Sequence, residues 1–497
     1  VRAAFVIGRL EAWGGYAFQG DPEVRIEGVQ LGRGQDRIAD QFATIIDDEW
    51  HGAAPARIRE QQEHDLVDWV RSAAASGVAG FITSSAGATH PALAGQNVLS
   101  GPTAQETFYR VAGVLRDSRG LSKIAAITGS SGKTTTKRML AHALRAAAPR
   151  ARVRSSPKSF NVSTDAAKYL SRSPQVRHSV VEIAGGAFAE YLANDFTVSA
   201  DVSIVTSIAE AHLDQHGDLE GVATRKAHLF DRPPAAGTAV INLDAPHAEI
   251  LVERAADQGC QLVTYGESPH AALRLLEYRP ETGEVTARVA GESIAYTVGA
   301  RGKHMALNSL AVIATLRSYR LPGWRRGIDS LATFAALDGR GASHALGLPY
   351  GGAVTVVDEA YNANPGSMKV TLQAAAEVPD LGAGRVILVL GDMLELGTAS
   401  AELHASLASA VAESRAQVTH LYGADMRHLH AALATRGLVS THWSDLDELA
   451  RTVLSDLRAG DTVIVKSSHG TALHELVRSL RSSLAPDPET TPPVPPR

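Results

Sequence analysis

The stretch that decides the fold is Ile124-Ala125-Ala126-Ile127-Thr128-Gly129-Ser130-Ser131-Gly132-Lys133-Thr134-Thr135, followed by a helical pattern through about Arg145. A short apolar strand, a glycine turn and a helix are the three parts of a phosphate-binding loop. Successive backbone N–H groups converge on the phosphates, and the helix N-terminus adds a favourable dipole. Lys133 would reach the β- and γ-phosphates, and Thr134 would hold a magnesium ion through its hydroxyl. The strict motif has a glycine where this chain has Ile127, so only its second half is present, with Thr128-Gly129 in front. An accidental glycine turn is the bland alternative. Taken alone, the loop announces a nucleotide and leaves the reaction open between a nucleotide-hydrolysing switch, a small-molecule kinase and other uses.

Working outward, residues 178–183, 202–206 and 239–242 are apolar and β-branched, and helical stretches separate them. Such alternation predicts a mainly parallel sheet covered on both faces. A second series begins near residue 350, with strands expected at 354–357, 386–390, 420–422 and 462–465 and a helix through 404–413. That order predicts a smaller, doubly wound Rossmann-like domain. Before residue 118 the pattern is mixed, with a strand at 80–83 and a helix ending near Arg116. The expected architecture is α/β in three domains: a smaller mixed domain at 1–118, the phosphate-loop domain at 119–340 and the Rossmann-like domain at 341–485. The proline-rich end, 486–497, is expected to be disordered.

The chain has 497 residues, with 44% hydrophobic and 20% charged residues, which suits a multidomain globular protein. A net charge of −5 gives no global electrostatic reason to bind nucleic acid or anionic membrane. The single cysteine, Cys260, rules out a disulfide within the chain and argues against a thiolate metal site. No segment approaches the ~18 apolar residues of a membrane span, and the apolar start is too short for a signal peptide. A soluble cytoplasmic monomer acting on small-molecule or peptide substrates is the expectation.

Two further segments narrow the reading. Asp358-Glu359-Ala360-Tyr361-Asn362-Ala363-Asn364-Pro365-Gly366-Ser367-Met368 and Leu390-Gly391-Asp392-Met393-Leu394-Glu395-Leu396-Gly397, with the variant phosphate loop, resemble the Mur ligases over roughly residues 121–480. The likeness is nearest to the branch that adds D-alanyl-D-alanine to a UDP-N-acetylmuramoyl tripeptide, and folylpolyglutamate synthases are relatives. The resemblance implies an ATP-dependent, ADP-forming ligase. In that family a carboxylate attacks the γ-phosphate, and an amine opens the acyl phosphate to form an amide. Carboxylate and triphosphate are both anions, so divalent metal is needed to screen them, and two magnesium ions are expected.

The resemblance further implies that Glu182 and His212 ligate the second magnesium, although a hard cation prefers oxygen to imidazole. It gives Lys226 a carbamate that supports the metals, which requires a neutral amine and hence a depressed lysine pKa. His304 and Asn308 resemble the adenine-side motif, Arg340 would serve the phosphates, and Asp358 would meet the ribose or the adjoining hinge. Asn161, Tyr361, Asn362, Asn364, Lys466 and His469 fall where substrates are received. Individually each has an ordinary alternative: a salt-bridged Glu182, a core or capping His212, a surface Lys226, a helix-capping Asn308, a solvated Arg340.

Departures from the family lie where substrates bind. The asparagine loop keeps Asn161 without its glycine and proline. Lys466-Ser467-Ser468-His469 stands where lysine-glycine-serine-arginine is usual. The N-terminal domain lacks the expected aspartate-serine-arginine element near residues 28–34, and Asp117-Ser118-Arg119 has those letters in the wrong place. The expectation is therefore a Mur-type ligase of a specialised pathway, such as a peptide natural product. The cell-wall enzyme itself is the alternative, and a non-catalytic nucleotide-binding protein is the remote one.

Overall fold

A computed structural model describes residues 2–31, 42–44, 68, 70–156, 162–171, 176–209, 218–378 and 384–486. They form three sheets of five, nine and seven strands, mostly parallel, as the α/β reading expects. The N-terminal sheet runs in the order Ala17–Gln19, Val98–Gly101, Gly80–Ser84, Phe42–Thr44, Val29–Leu31, and its first pair is antiparallel. The helix Ala104–Asp117 starts at Thr103, whose hydroxyl accepts from the Glu106 amide at 3.0 Å. Such a cap satisfies one of the orphan donors of a helix start. Its face of Phe108, Val111, Ala112 and Leu115 is buried in a core continuous with one side of the central sheet. The segment Asp117-Ser118-Arg119 is structural: Arg119 pairs with Asp201 at 3.2 Å and Ser118 bonds back to the Val114 carbonyl.

The central sheet runs Val153–Ser155, His178–Glu182, Lys123–Thr128, Val202–Val205, Thr238–Asn242, Gln261–Gly266, all parallel. Its second face buries Met139, Leu140, Ala143 and Leu144 of the helix Lys133–Ala147 against the helix Lys303–Ser318. The sheet then continues into Leu273–Arg279, Glu284–Val289 and Glu292–Thr297, an antiparallel meander that the sequence reading did not place. A bulge between Leu275 and Glu277 breaks the two-residue alternation of the first of these strands, which hides its period.

The C-terminal sheet follows the order Thr441–Trp443, Val418–Tyr422, Val386–Gly391, Thr462–Lys466, Ala353–Glu359, Ala342–Gly347, Ala485–Pro486. Pro486, assigned to the tail from sequence, is paired with Leu346 at its edge; residues 487–497 lie outside the described ones. The single helix expected over 404–413 is two, Ser400–Ala405 and Ala408–Glu413. His404 sits at the end of the first, fully buried: its Nε2 accepts from the Met393 amide at 3.0 Å and its Nδ1 faces the Ser400 carbonyl at 2.7 Å. No helix among the described residues is long and apolar enough to cross a membrane.

Candidate active site

The strand Lys123–Thr128 lies between His178–Glu182 and Val202–Val205, with Ile127 opposite both Glu182 and Ile204. The chain leaves this strand to one side first and returns to the other side later. Such a switch point opens a crevice at the carboxyl ends of the strands. Gly129 turns there with φ +148°, and a Cβ on it would lie 2.0 Å from Thr206 Oγ1 and 3.0 Å from the Ser207 amide. Only glycine fits both the angle and the space. The Ser130 amide donates to the Ser207 carbonyl at 2.9 Å and the Ser131 amide to Ser207 Oγ at 2.8 Å. The free amides are those of the following helix start, which has Gly132 as its left-handed N-cap and lacks intrahelical acceptors for its first amides.

Lys133 folds back across this turn, donating to the Gly129 carbonyl at 2.7 Å. Burial lowers its pKa, Glu182 opposes that shift and Arg340 adds to it. Thr134 Oγ1 donates to Glu182 Oε2 at 2.8 Å, and Lys137 Nζ lies 3.0 Å from the same oxygen. Lys137 was missed in the sequence. The signal was its spacing, one turn after Lys133 and Thr134 and hence on their face of the helix. Hydroxyl and carboxylate oxygens are the donor set that magnesium prefers, so Thr134 and Glu182 fit the implied metal.

Lys226 lies on the helix Leu219–Ala227, whose N-terminus is capped by Asp218 accepting from the Gly221 amide at 2.8 Å. Its ammonium is buried and would stand 3.0 Å from a Cβ on Gly185. Burial, then Lys133, then Arg225 lower its pKa to about 7. Asn308 Oδ1 lies 3.1 Å from the Cβ position of Gly132, so its carboxamide rests on the phosphate loop. His304 lines the same cavity, and burial lowers its pKa. Asn161 and His212 lie outside the described residues.

The C-terminal domain closes the site. Arg340 stacks on the Tyr361 ring at 4.2 Å, Tyr361 faces His469 at 5.3 Å, and His469 stacks on His474 at 4.3 Å. Asn364 Nδ2 reaches Ser131 Oγ at 3.4 Å, and a Cβ on Gly366 would lie 2.7 Å from that of Ala209. Lys466 Nζ is buried, 3.3 Å from Glu359 Oε2 and 3.2 Å from the Asn362 carbonyl. Asp358 accepts from the amides of Gly339 at 2.7 Å and Ala360 at 3.1 Å. It is not among the residues that line the cavity. The segment from Leu390 to Gly397 is fastened by Asp392, which accepts from the amides of Asp425 and Met426. It offers Leu394, Glu395 and Leu396 to the cavity, with Glu395 at φ +63°. The cavity has a volume of about 740 Å³ and is lined by residues of both domains. Glu359 and Glu395, both lining it, were also missed; their letters were quoted in motifs without a role.

Residues 127–316 match the Mur ligase middle domain and residues 348–469 the Mur ligase, glutamate ligase domain. Among curated relatives, the UDP-N-acetylmuramoyl-tripeptide–D-alanyl-D-alanine ligase of Bacillus subtilis is 27% identical, covering 73% of this chain and 76% of that protein. Among solved structures, a MurF from Acinetobacter baumannii aligns with a TM-score of 0.75 at 20% identity over 96% of this chain and 98% of that one. A MurF ligase from Thermotoga maritima in complex with ADP aligns with a TM-score of 0.67 at 18% identity, over 93% and 95%. These likenesses speak to a shared three-domain fold. With both domains matched in order around the phosphate loop and the closing C-terminal face, the chain belongs to the Mur ligases, a family of ATP-dependent, ADP-forming ligases.

Proposed function

We propose that the protein transfers the γ-phosphoryl group of ATP to a carboxylate and couples the acyl phosphate to the amine of an amino acid or peptide, releasing ADP and phosphate. The observation that carries this is the convergence of Lys133, Glu182, Lys226 and Arg340 on one cavity that the C-terminal domain covers, with Thr134 hydrogen-bonded to Glu182 behind it. Two anionic reactants can approach there because fixed positive charge in a buried setting offsets their repulsion. Lys133 is positioned for the phosphates, and Thr134 with Glu182 would hold magnesium, which supplies charge neutralisation and an in-line template when bound. Lys226, with its pKa at about 7, has a substantial neutral fraction at neutral pH, as carbamylation by carbon dioxide requires. Asn308 and His304 serve the nucleotide side; Tyr361, Asn362, Lys466 and His469 face the substrates.

For the substrate pair, we favour a carboxylate and amine of a specialised peptide pathway over the cell-wall pair. The supporting observation is that a departure lies beside a cavity-lining residue: His469 stands where the family has arginine, tilted against the cavity-lining Tyr361 and stacked on His474. The relatives named as D-alanyl-D-alanine ligases favour the second reading, in which UDP-N-acetylmuramoyl tripeptide is the carboxylate. ADP release, measured with UDP-linked and free carboxylates against a panel of amines including D-alanyl-D-alanine, separates them. Turnover with the UDP-linked tripeptide and D-alanyl-D-alanine above all other pairs would establish the second reading. Silence with every pair would remove the ligase assignment.

A further inference from the structure

Lys137 is fully buried, and its ammonium lies 3.0 Å from Glu182 Oε2. Thr134 Oγ1 donates to that same oxygen at 2.8 Å. One carboxylate oxygen thus faces both the hydroxyl suited to a metal and an ammonium group. A divalent ion bound to Glu182 at the ~2.1 Å typical of magnesium would crowd that ammonium, and like charges repel strongly where water is excluded. Lys137 has a second anchor in Ser156 Oγ at 3.3 Å, so it is held in place rather than swinging free. Lys133 and Arg340 act electrostatically on the same group of side chains, and Lys133 acts on Lys226. Around Glu182 this is a cationic surrounding, unlike the acidic cage that binds free divalent ions.

We infer that Lys137 is the resident partner of Glu182 in the nucleotide-free enzyme and bars divalent metal until the triphosphate arrives. The phosphates supply the negative charge that offsets Lys137, so metal and nucleotide enter together. Lys137 is a positioning residue in this scheme: it acts through Glu182 and does not touch the reacting atoms. The inference rests on Thr134 and Glu182 being the metal side of the nucleotide site.

The test is manganese binding to the full chain, read from the electron paramagnetic resonance signal of free Mn2+, with and without a non-hydrolysable ATP analogue. Wild type is expected to bind Mn2+ well only with the analogue. Lys137→Met is expected to bind Mn2+ without it, about ten-fold or more tighter than wild type, and Lys137→Arg to behave as wild type. Adding Glu182→Gln to Lys137→Met should abolish the gained binding, which locates it. Lys137→Gln serves the same purpose if the methionine variant does not fold. Equal Mn2+ binding by wild type with and without the analogue overturns the inference, as does absence of a gain in both neutral variants. If wild type fails to bind Mn2+ even with the analogue, the metal assignment of Thr134 and Glu182 falls, and the inference with it.

Discussion

The two halves of the cavity are built differently. On the central-domain side, Lys133, Thr134, Lys137 and Glu182 are tied to one another and to the loop by contacts of 2.7 to 3.0 Å, all within one domain, with Thr134, Lys137 and Glu182 buried and Lys133 partly so. On the C-terminal side the links to the other half are looser: a 3.4 Å hydrogen bond from Asn364, the stacking of Arg340 on Tyr361, and the approach of Gly366 to Ala209. The first half is organised before any substrate arrives, which is what electrostatic catalysis needs. The second is joined by contacts weak enough to part and re-form, which is what admitting and enclosing substrates needs. The departures from family letters at Lys466-Ser467-Ser468-His469 belong to the second half.

The largest expected effect comes from breaking the rigid half. Lys133→Ala should lower ADP release at least about a thousand-fold, the scale for losing a pre-placed charge at a transferring phosphoryl group. Because burial disfavours the charged Lys133, the same change should not lower the melting temperature. Undiminished turnover would take the loop out of the mechanism.

Next is Lys226. Its folded-state pKa of about 7 lies below the ordinary lysine value, so between about 7 and that value the unfolded chain carries the extra proton. Stability contributed at this site therefore rises with pH through that window and is lowest below pH 7. The neutral amine follows the same course, and so should carbamate-dependent turnover, climbing through pH 7. Lys226→Ala should lose roughly a hundred-fold in kcat, with partial recovery in formate or acetate. A variant with full activity, or one that no carboxylate restores, would count against the carbamate.

The same division explains what could be read from the chain alone. The phosphate loop is contiguous, and its strand–turn–helix context is local, so its letters lead directly to Gly129 and Lys133. Glu182 was legible as a carboxylate at the end of a buried strand. Lys137 offered only its spacing from Lys133 and Thr134, because a lysine inside an amphipathic helix has the same letters whether it is solvated or buried. Its role appears only when the neighbouring strand brings Glu182 to 3.0 Å. Asp358 was legible as important but divided between ribose and hinge, and only the amides of Gly339 and Ala360 show how its carboxylate is spent. The meander from Leu273 to Thr297 escaped because a bulge disrupts its alternation. The long helix through 404–413 was overextended because a helical period does not reveal the break after Ala405. His404 is fixed there by a backbone amide eleven residues earlier in the chain, a tertiary contact with no sequence period.

The smallest expected effect, and the sharpest probe of the comparison, is at Asn364, which belongs to both halves. Its Oδ1 accepts from the Ser367 amide at 2.8 Å and completes a capping box at the start of the helix Pro365–Glu377, while its Nδ2 reaches across to Ser131. Asn364→Ala removes both functions and should cost about 1 kcal/mol of stability, the usual worth of such a cap. Asn364→Asp keeps the acceptor, since aspartate caps helices as well as asparagine does, but it loses the donor and turns a carboxylate towards the phosphate loop. Its melting temperature should stay near wild type while KM for ATP rises about ten-fold, because a like charge now faces the triphosphate. If the aspartate variant instead binds ATP as wild type does, the Asn364–Ser131 contact contributes nothing to closure, and the residue is only a cap. The join between the domains would then rest on the stacking of Arg340 on Tyr361 and the approach of Gly366 to Ala209, and Tyr361→Ala should loosen ATP binding more than any change at Asn364.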